Sequence, residues 1–264
     1  MSQTQTVQQA PAIKLSEKEL PKLFSVDAQK NADSKLETKK QQPLSTLDSL
    51  LFPERRPRKF DSKGKRNAEW EDKLKAMSPL QKHCAYFLPN PEANIIFPID
   101  TYRSVRAWGW NLFLTLLTVF IIHGGLAYFS QPEGMLLPDP RFGVYISNIH
   151  RAKHGSDSGS YNSHGAYRRE LFNDFFNYYD KDGKGGLTLS ELYSAWRGQR
   201  IVFDPFGWSA SAFEWVATYL LLWPEDGVLR KKDAEGVFDG EIFWTVKEKE
   251  DERRVKRGLK PLVY

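Results

Sequence analysis

Apolar residues are spread unevenly along the chain, and their spacing divides it. Residues 1–77 are dominated by Gln, Ser, Lys and Thr, and Phe24 is the only aromatic residue among the first fifty. Too little apolar surface is available there to offset the entropy of ordering, so a disordered arm is expected. Leu47–Phe52 is the one candidate for a short docking element within it. Order is expected from Ser78. Ser78-Pro79-Leu80-Gln81 has the form of a capping box with proline at the first helical position, and the helix it starts carries Gln81, His83, Tyr86 and Phe87. A second helix is expected from Pro98 through Tyr102, Val105 and Trp108.

Trp110–Phe129, WNLFLTLLTVFIIHGGLAYF, is the longest apolar run, with His123 as its only ionisable residue apart from Tyr128. As a straight helix its twenty residues would be about 30 Å long, enough to cross a hydrocarbon core. Gly124-Gly125 and the following Pro132, Pro138 and Pro140 favour instead a segment that bends and returns. Further on, Leu171, Phe172, Phe175, Phe176 and Tyr179 recur at helical spacing, and Leu192, Tyr193 and Trp196 do so after a break. The expected fold class is mainly α. It is an EF-hand-like helical domain with an inserted apolar membrane-associating helix or hairpin, behind a disordered N-terminal arm. The expected divisions are 1–77 (arm), 78–108 (degenerate EF-hand), 109–141 (apolar segment with a proline-rich turn), 142–246 (helical domain) and 247–264 (charged tail).

The break between the second pair of helices is itself informative. Asp180-Lys181-Asp182-Gly183-Lys184-Gly185-Gly186-Leu187-Thr188-Leu189-Ser190-Glu191 has the twelve-residue form of an EF-hand loop. Asp180, Asp182 and Glu191 take positions 1, 3 and 12. The Gly186 carbonyl and Thr188 are the further oxygen donors expected for Ca2+, and Leu187 is expected to pack against a partner loop. Lys184 puts a positive charge at position 5, where an oxygen belongs. A calcium-binding hand and a purely structural hand both remain open on these residues. Pro89–Asp100 has the outline of a second such loop, with Asp100 its one good ligand.

Composition changes this picture little. The net charge is +5, with basic clusters at 55–66 and 253–257. Such runs suit an anionic lipid surface or a nucleic acid, but no nucleic-acid module accompanies them, and solvated linker and tail is the plainer reading. Cys84 is the only cysteine, which excludes an internal disulfide and suits a reducing compartment. The first residues do not read as a secretory signal. His150 and His154 have zinc-like spacing on a helix, but no thiol or carboxylate pair completes such a site. For each histidine alone, a satisfied structural role is the better expectation.

From Ser78 to Trp244 the chain resembles the caleosin family. The resemblance is carried by Leu80-Gln81-Lys82-His83 before the first loop and by Pro98-Ile99-Asp100-Thr101-Tyr102 with Arg106 after it. The block from Tyr145 through His150 and Lys153-His154-Gly155-Ser156-Asp157 is the most specific part. Trp208, Trp215 and Phe238-Asp239-Gly240 followed by Phe243 complete it. The resemblance implies a calcium-binding haem peroxygenase at the cytosolic face of lipid droplets or endoplasmic reticulum. It would move one oxygen from a fatty-acid hydroperoxide to an unsaturated fatty acid. It implies haem b bound by His83 and His154, one holding iron and the other assisting as acid–base, without deciding which. Cys84, beside His83 on a helix, points elsewhere. Its partners would be membrane lipids and no nucleic acid, with oligomeric state open. Two departures stand out: ligands are kept in the later loop rather than the first, and the proline cluster after the apolar segment is thinned. A non-enzymatic calcium-responsive lipid-droplet coat or tether and a bitopic membrane protein are the competing readings.

Overall fold

A computed structural model of the chain describes Arg66 and residues 68–262; the arm before Arg66, including Leu47–Phe52, lies outside the described residues. Order begins earlier than Ser78. Helix α1, Ala68–Lys75, has acidic residues in its first turn and lysines in its last, which suits the helix dipole. It buries Trp70 and Leu74, and Trp70 meets Trp244 edge to face. The polar composition around α1 hid this anchor.

Helix α2, Pro79–Ala85, starts on the expected capping box: Ser78 Oγ accepts from the Gln81 amide, and Gln81 Oε1 accepts from the Ser78 amide at 2.9 Å. Strand β1, Ile95–Ile96, leads into α3, Pro98–Arg106, with proline again in its first turn. Helix α4, Leu112–Leu126, follows, capped by Asn111. Strand β2, Val144–Tyr145, and a 3-10 helix, Ile146–Ala152, complete the first half. In the second half come α5, Arg169–Tyr179, β3, Gly186–Thr188, and α6, Leu189–Gly198. They are followed by α7, Pro205–Leu222, β4, Val228–Arg230, α8, Lys231–Phe238, and α9, Glu241–Lys256.

The two loops do not pair with each other. Strand β1 pairs antiparallel with β2, Ile95 opposite Tyr145, and β3 pairs with β4, Leu187 opposite Leu229. Each loop therefore finds its partner strand downstream, within its own half. Two apolar clusters follow from this. One joins Trp70, Tyr86, Phe87, Trp108, Ile146, Phe243 and Trp244. The other joins Phe172, Phe175, Phe176, Leu187, Leu192 and Leu229.

The apolar segment differs from its expectation in two respects. Its helix has 15 residues, about 22 Å of rise, and Gly124 and Gly125 lie inside it without breaking it. No helix among the described residues is long and apolar enough to cross a membrane. The return is made after the helix, and β1 before it pairs with β2 beyond it, so both flanks belong to one body. His123 pins the helix. Its Nδ1 donates to the Phe142 carbonyl at 2.7 Å and its Nε2 accepts from Thr101 Oγ1 at 2.8 Å. Burial, opposed by the Phe142 bond, lowers its pKa to about 4, so it is neutral and structural, as expected for a histidine on an apolar run.

Helix α4 is inside out. Thr115 and His123 are buried while Leu112, Phe113, Leu116, Leu117 and Phe120 are exposed, Phe113 at 72% and Phe120 at 76%. Leu136, Leu137 and Phe142 in the returning stretch, and Val202, Phe203 and Phe206 before and at the start of α7, are exposed too. Phe206 touches Phe129 and approaches Gly125, so apolar surface continues from the end of α4 onto α7.

The charged tail is not merely solvated. Lys247 and Arg254 are buried. Lys247 pairs with Asp251, Arg254 Nε donates to the Lys260 carbonyl at 3.0 Å, and the Leu262 amide donates to Asp251 at 3.1 Å. The last turn of α9 folds its own C-terminal extension back.

Candidate functional site

His83 lies half-buried in the last turn of α2. Its Nδ1 donates to the Val237 carbonyl near the end of α8 at 2.6 Å, and its ring meets Phe243 edge to face. With Nδ1 committed as donor, Nε2 carries the lone pair. Burial lowers the His83 pKa despite the Val237 bond, so the ring is neutral. Gly240 makes this geometry attainable. It has φ +78°, and a Cβ there would stand 2.6 Å from the Lys82 carbonyl and 2.9 Å from His83 Cα. The Asp239-Gly240 turn can thus lie against α2 and present Val237 to the imidazole.

His154 sits beyond the 3-10 helix, so His150 and His154 do not share a helix face as their spacing suggested. The block around it is a docking device. Ser156 Oγ donates to Asp204 Oδ2 at 2.7 Å and accepts from the Ile201 amide at 3.0 Å. Asp204 caps α7 by accepting from the Gly207 amide at 2.9 Å. A Cβ on Gly155 would meet that same carboxylate at 2.7 Å. Lys153 reaches the carbonyls of Tyr161 and Asn162. The start of α7 is thereby fixed against His154, and Glu214, the one charged residue of that helix, reaches it. His154 Nε2 donates to Glu214 Oε1 at 3.0 Å, and Nδ1 donates to the Gly155 carbonyl at 2.6 Å. Burial opposes charge on the ring, but the Glu214 carboxylate outweighs it and raises the pKa to about 9. His154 is an imidazolium near neutral pH.

Glu214 ties the two histidines together, since its charge also acts on His83 and on half-buried Tyr161. Tyr161 OH donates to the Phe238 carbonyl, and its ring packs on Phe238 at 5.3 Å. Cys84 is buried, and burial raises its thiol pKa to about 12, so it is no thiolate. Sequence reasoning missed Val237 and Glu214, and named Gly240 only as part of a family block, without its role beside His83. A lone acid in the otherwise uncharged helix Pro205–Leu222 was the readable signal for Glu214.

The other predicted residues gather at the 180–191 loop, where Asp180, Asp182 and Glu191 hold carboxylate oxygens within 4.8 Å of one another. Lys184 Nζ lies among them, at 3.0 Å from Asp180, 2.7 Å from Asp182 and 2.7 Å from Glu191. Thr188 Oγ1, expected as a calcium donor, is taken up in capping α6: it accepts from the Glu191 amide and bonds Glu191 Oε2 at 2.9 Å. Gly186 stands in β3 opposite Arg230.

A family model described as "Caleosin related protein" matches residues 75–247. The chain belongs to the caleosin family. Among curated relatives of this caleosin, it is 38% identical over 167 residues to "Peroxygenase" of Lilium longiflorum, covering 63% of this chain and 69% of that protein. It is 29% identical over 179 residues to "Probable peroxygenase 4" of Arabidopsis thaliana, covering 67% of this chain and 90% of that one. It is also 27% identical over 150 residues to a "Probable inactive peroxygenase-like protein" of Arabidopsis thaliana, covering 56% and 69%. No solved structure matches the chain.

The cofactors that caleosin resemblance implies can be tested against these donors. His83 fits haem iron: a neutral imidazole, oriented through Nδ1, with no hydrogen bond at Nε2. His154, expected beside it as a haem ligand, does not fit, because both ring nitrogens act as donors. Calcium does not fit the 180–191 loop as it stands, because an ammonium group already holds the three carboxylates.

Proposed function

We propose that this caleosin is a haem peroxygenase working on lipid hydroperoxides at the surface of a lipid droplet or the endoplasmic reticulum, facing the cytosol. The observation that carries the reading is the divided chemistry of the two histidines: His83 neutral with a free Nε2, His154 charged and held by Glu214. His83 would hold the haem iron through Nε2, with the Val237 carbonyl setting its tautomer. Bound there, haem would supply the chemistry that splits a hydroperoxide and passes one oxygen to an unsaturated fatty acid. His154 holds a proton that the lipid alkoxide left by O–O cleavage would take to become the alcohol, and Glu214 keeps the imidazolium charged and oriented. The apolar face of α4 and the exposed residues before α7 lie in the lipid, which delivers substrate without its leaving the apolar phase.

The reading is tested by the Soret band of purified protein. His83→Ala should lose the band. His154→Ala should keep it and lose at least about a hundredfold in turnover, the usual scale for a positioned acid. Loss of haem in His154→Ala with its retention in His83→Ala would reverse the assignment. A non-enzymatic lipid-droplet coat is the second reading, supported by the inverted surface of α4, and a wild-type protein that binds no haem would establish it.

A further inference from the structure

We propose that Lys184 is a built-in cation that closes the 180–191 hand in place of calcium, making this loop indifferent to the metal. The inference does not depend on the haem assignment.

Three carboxylates gathered this closely repel one another and need a counter-charge. An ammonium group has three protons to donate, and Lys184 Nζ has one carboxylate for each: Asp180 at 3.0 Å, Asp182 at 2.7 Å and Glu191 at 2.7 Å. The Lys184 side chain is 19% exposed, so the group is drawn into the loop rather than left at its rim. Burial works against its charge, and the three carboxylates overcome that.

The other oxygens of Asp180 and Glu191 are engaged as well. Asp180 Oδ2 accepts from the Gly185 amide at 2.7 Å and the Gly186 amide at 3.2 Å, so the turn is formed by the chain alone. Glu191 splits its oxygens: Oε1 takes Lys184, while Oε2 accepts from the Thr188 amide at 2.8 Å and bonds Thr188 Oγ1 at 2.9 Å. Calcium requires six to eight oxygens, usually with position 12 bidentate. To enter, it would have to break the cap of α6 and leave an unpaired ammonium beside a dication. The Pro89–Asp100 loop uses the same chemistry from outside: Lys73 on α1 donates to the Ala93 carbonyl at 2.6 Å and Asn94 Oδ1 at 3.1 Å. There too the position-12 acid caps its helix, Asp100 Oδ2 accepting from the Phe97 amide at 2.9 Å.

The test is calcium titration of the full chain after chelation, by calorimetry and thermal melting. Up to about 1 mM CaCl2, beyond the range of sensor hands, the wild type should show no stoichiometric binding and no rise in Tm. Lys184→Asn restores an oxygen at position 5. It should melt lower than wild type in EDTA, regain stability with calcium, and bind one ion per loop at least about tenfold more tightly than wild type. Lys184→Arg, which keeps the charge, should stay indifferent. One-to-one calcium binding by the wild type, as tight as that of Lys184→Asn, would overturn the proposal. If Lys184→Asn cannot be purified, the wild-type titration decides alone, uptake of one calcium refuting the proposal and no uptake upholding it.

Discussion

Replacing Glu214 by Gln removes the charge beside His154 while leaving an oxygen that can accept from its Nε2. The distance from histidine's ordinary 6.5 to about 9 corresponds to about 3 kcal/mol at 1.36 kcal/mol per pH unit. Glu214's side chain is 64% exposed, and water screens such a pair, so about 1–1.5 kcal/mol is the portion to expect. That is about one pH unit. If charged His154 is the acid, wild-type turnover holds through neutrality and falls as pH rises through about 9. In Glu214→Gln that fall should come about one unit earlier, with the Soret band unchanged. Stability follows the same sign. A raised folded-state pKa contributes fully below the unfolded value near 6.5 and is lost as pH climbs through about 9. The wild-type Tm should therefore decline across that window, and Glu214→Gln should decline less. The assay is hydroperoxide-dependent oxygen transfer from pH 5 to pH 10, with thermal melts in the same buffers. An alkaline limb that stays in place in Glu214→Gln, at equal haem content, refutes the role given to the pair.

Gly240→Ala should cost about 1–3 kcal/mol and weaken haem retention, because its φ is +78° and its Cβ would meet the backbone of α2; urea unfolding and the Soret band read both effects. Trp70→Ala should cost about 3–5 kcal/mol, since Trp70 is fully buried against Trp244; an unchanged unfolding midpoint would mean that α1 is not part of the core. Phe113→Ser combined with Phe120→Ser should leave Tm within about 1 °C of wild type, because both rings are exposed, yet markedly reduce co-flotation with oil droplets. Asp and Glu groups held down by a cation contribute stability above their unfolded pKa. The Lys184 bond holds Glu191 below its ordinary value, so Lys184→Met should lower Tm near neutral pH and lose that effect as pH falls below about 4.

What the sequence by itself determined is local. The capping box at Ser78, the proline starts at 79 and 98, and the twelve-residue loop at 180–191 all depend on groups a few bonds or one turn apart. Each formed where its spacing placed it. The family was legible too, because its blocks keep their order along the chain. The tertiary structure decided everything that needs a distant partner. His83 is oriented by a carbonyl 154 positions away, and His154 is charged by an acid 60 positions away, so neither role could be read from the motif that carries it. Each loop chose a downstream strand rather than the other loop, because two-residue and three-residue strands carry too little pattern to name their mate. Lys184 was visible as a misfit at position 5, but only the folded loop shows its ammonium turned inward onto three carboxylates instead of out to water. Its four-carbon stem permits both directions, and the charge of the surrounding acids selects between them.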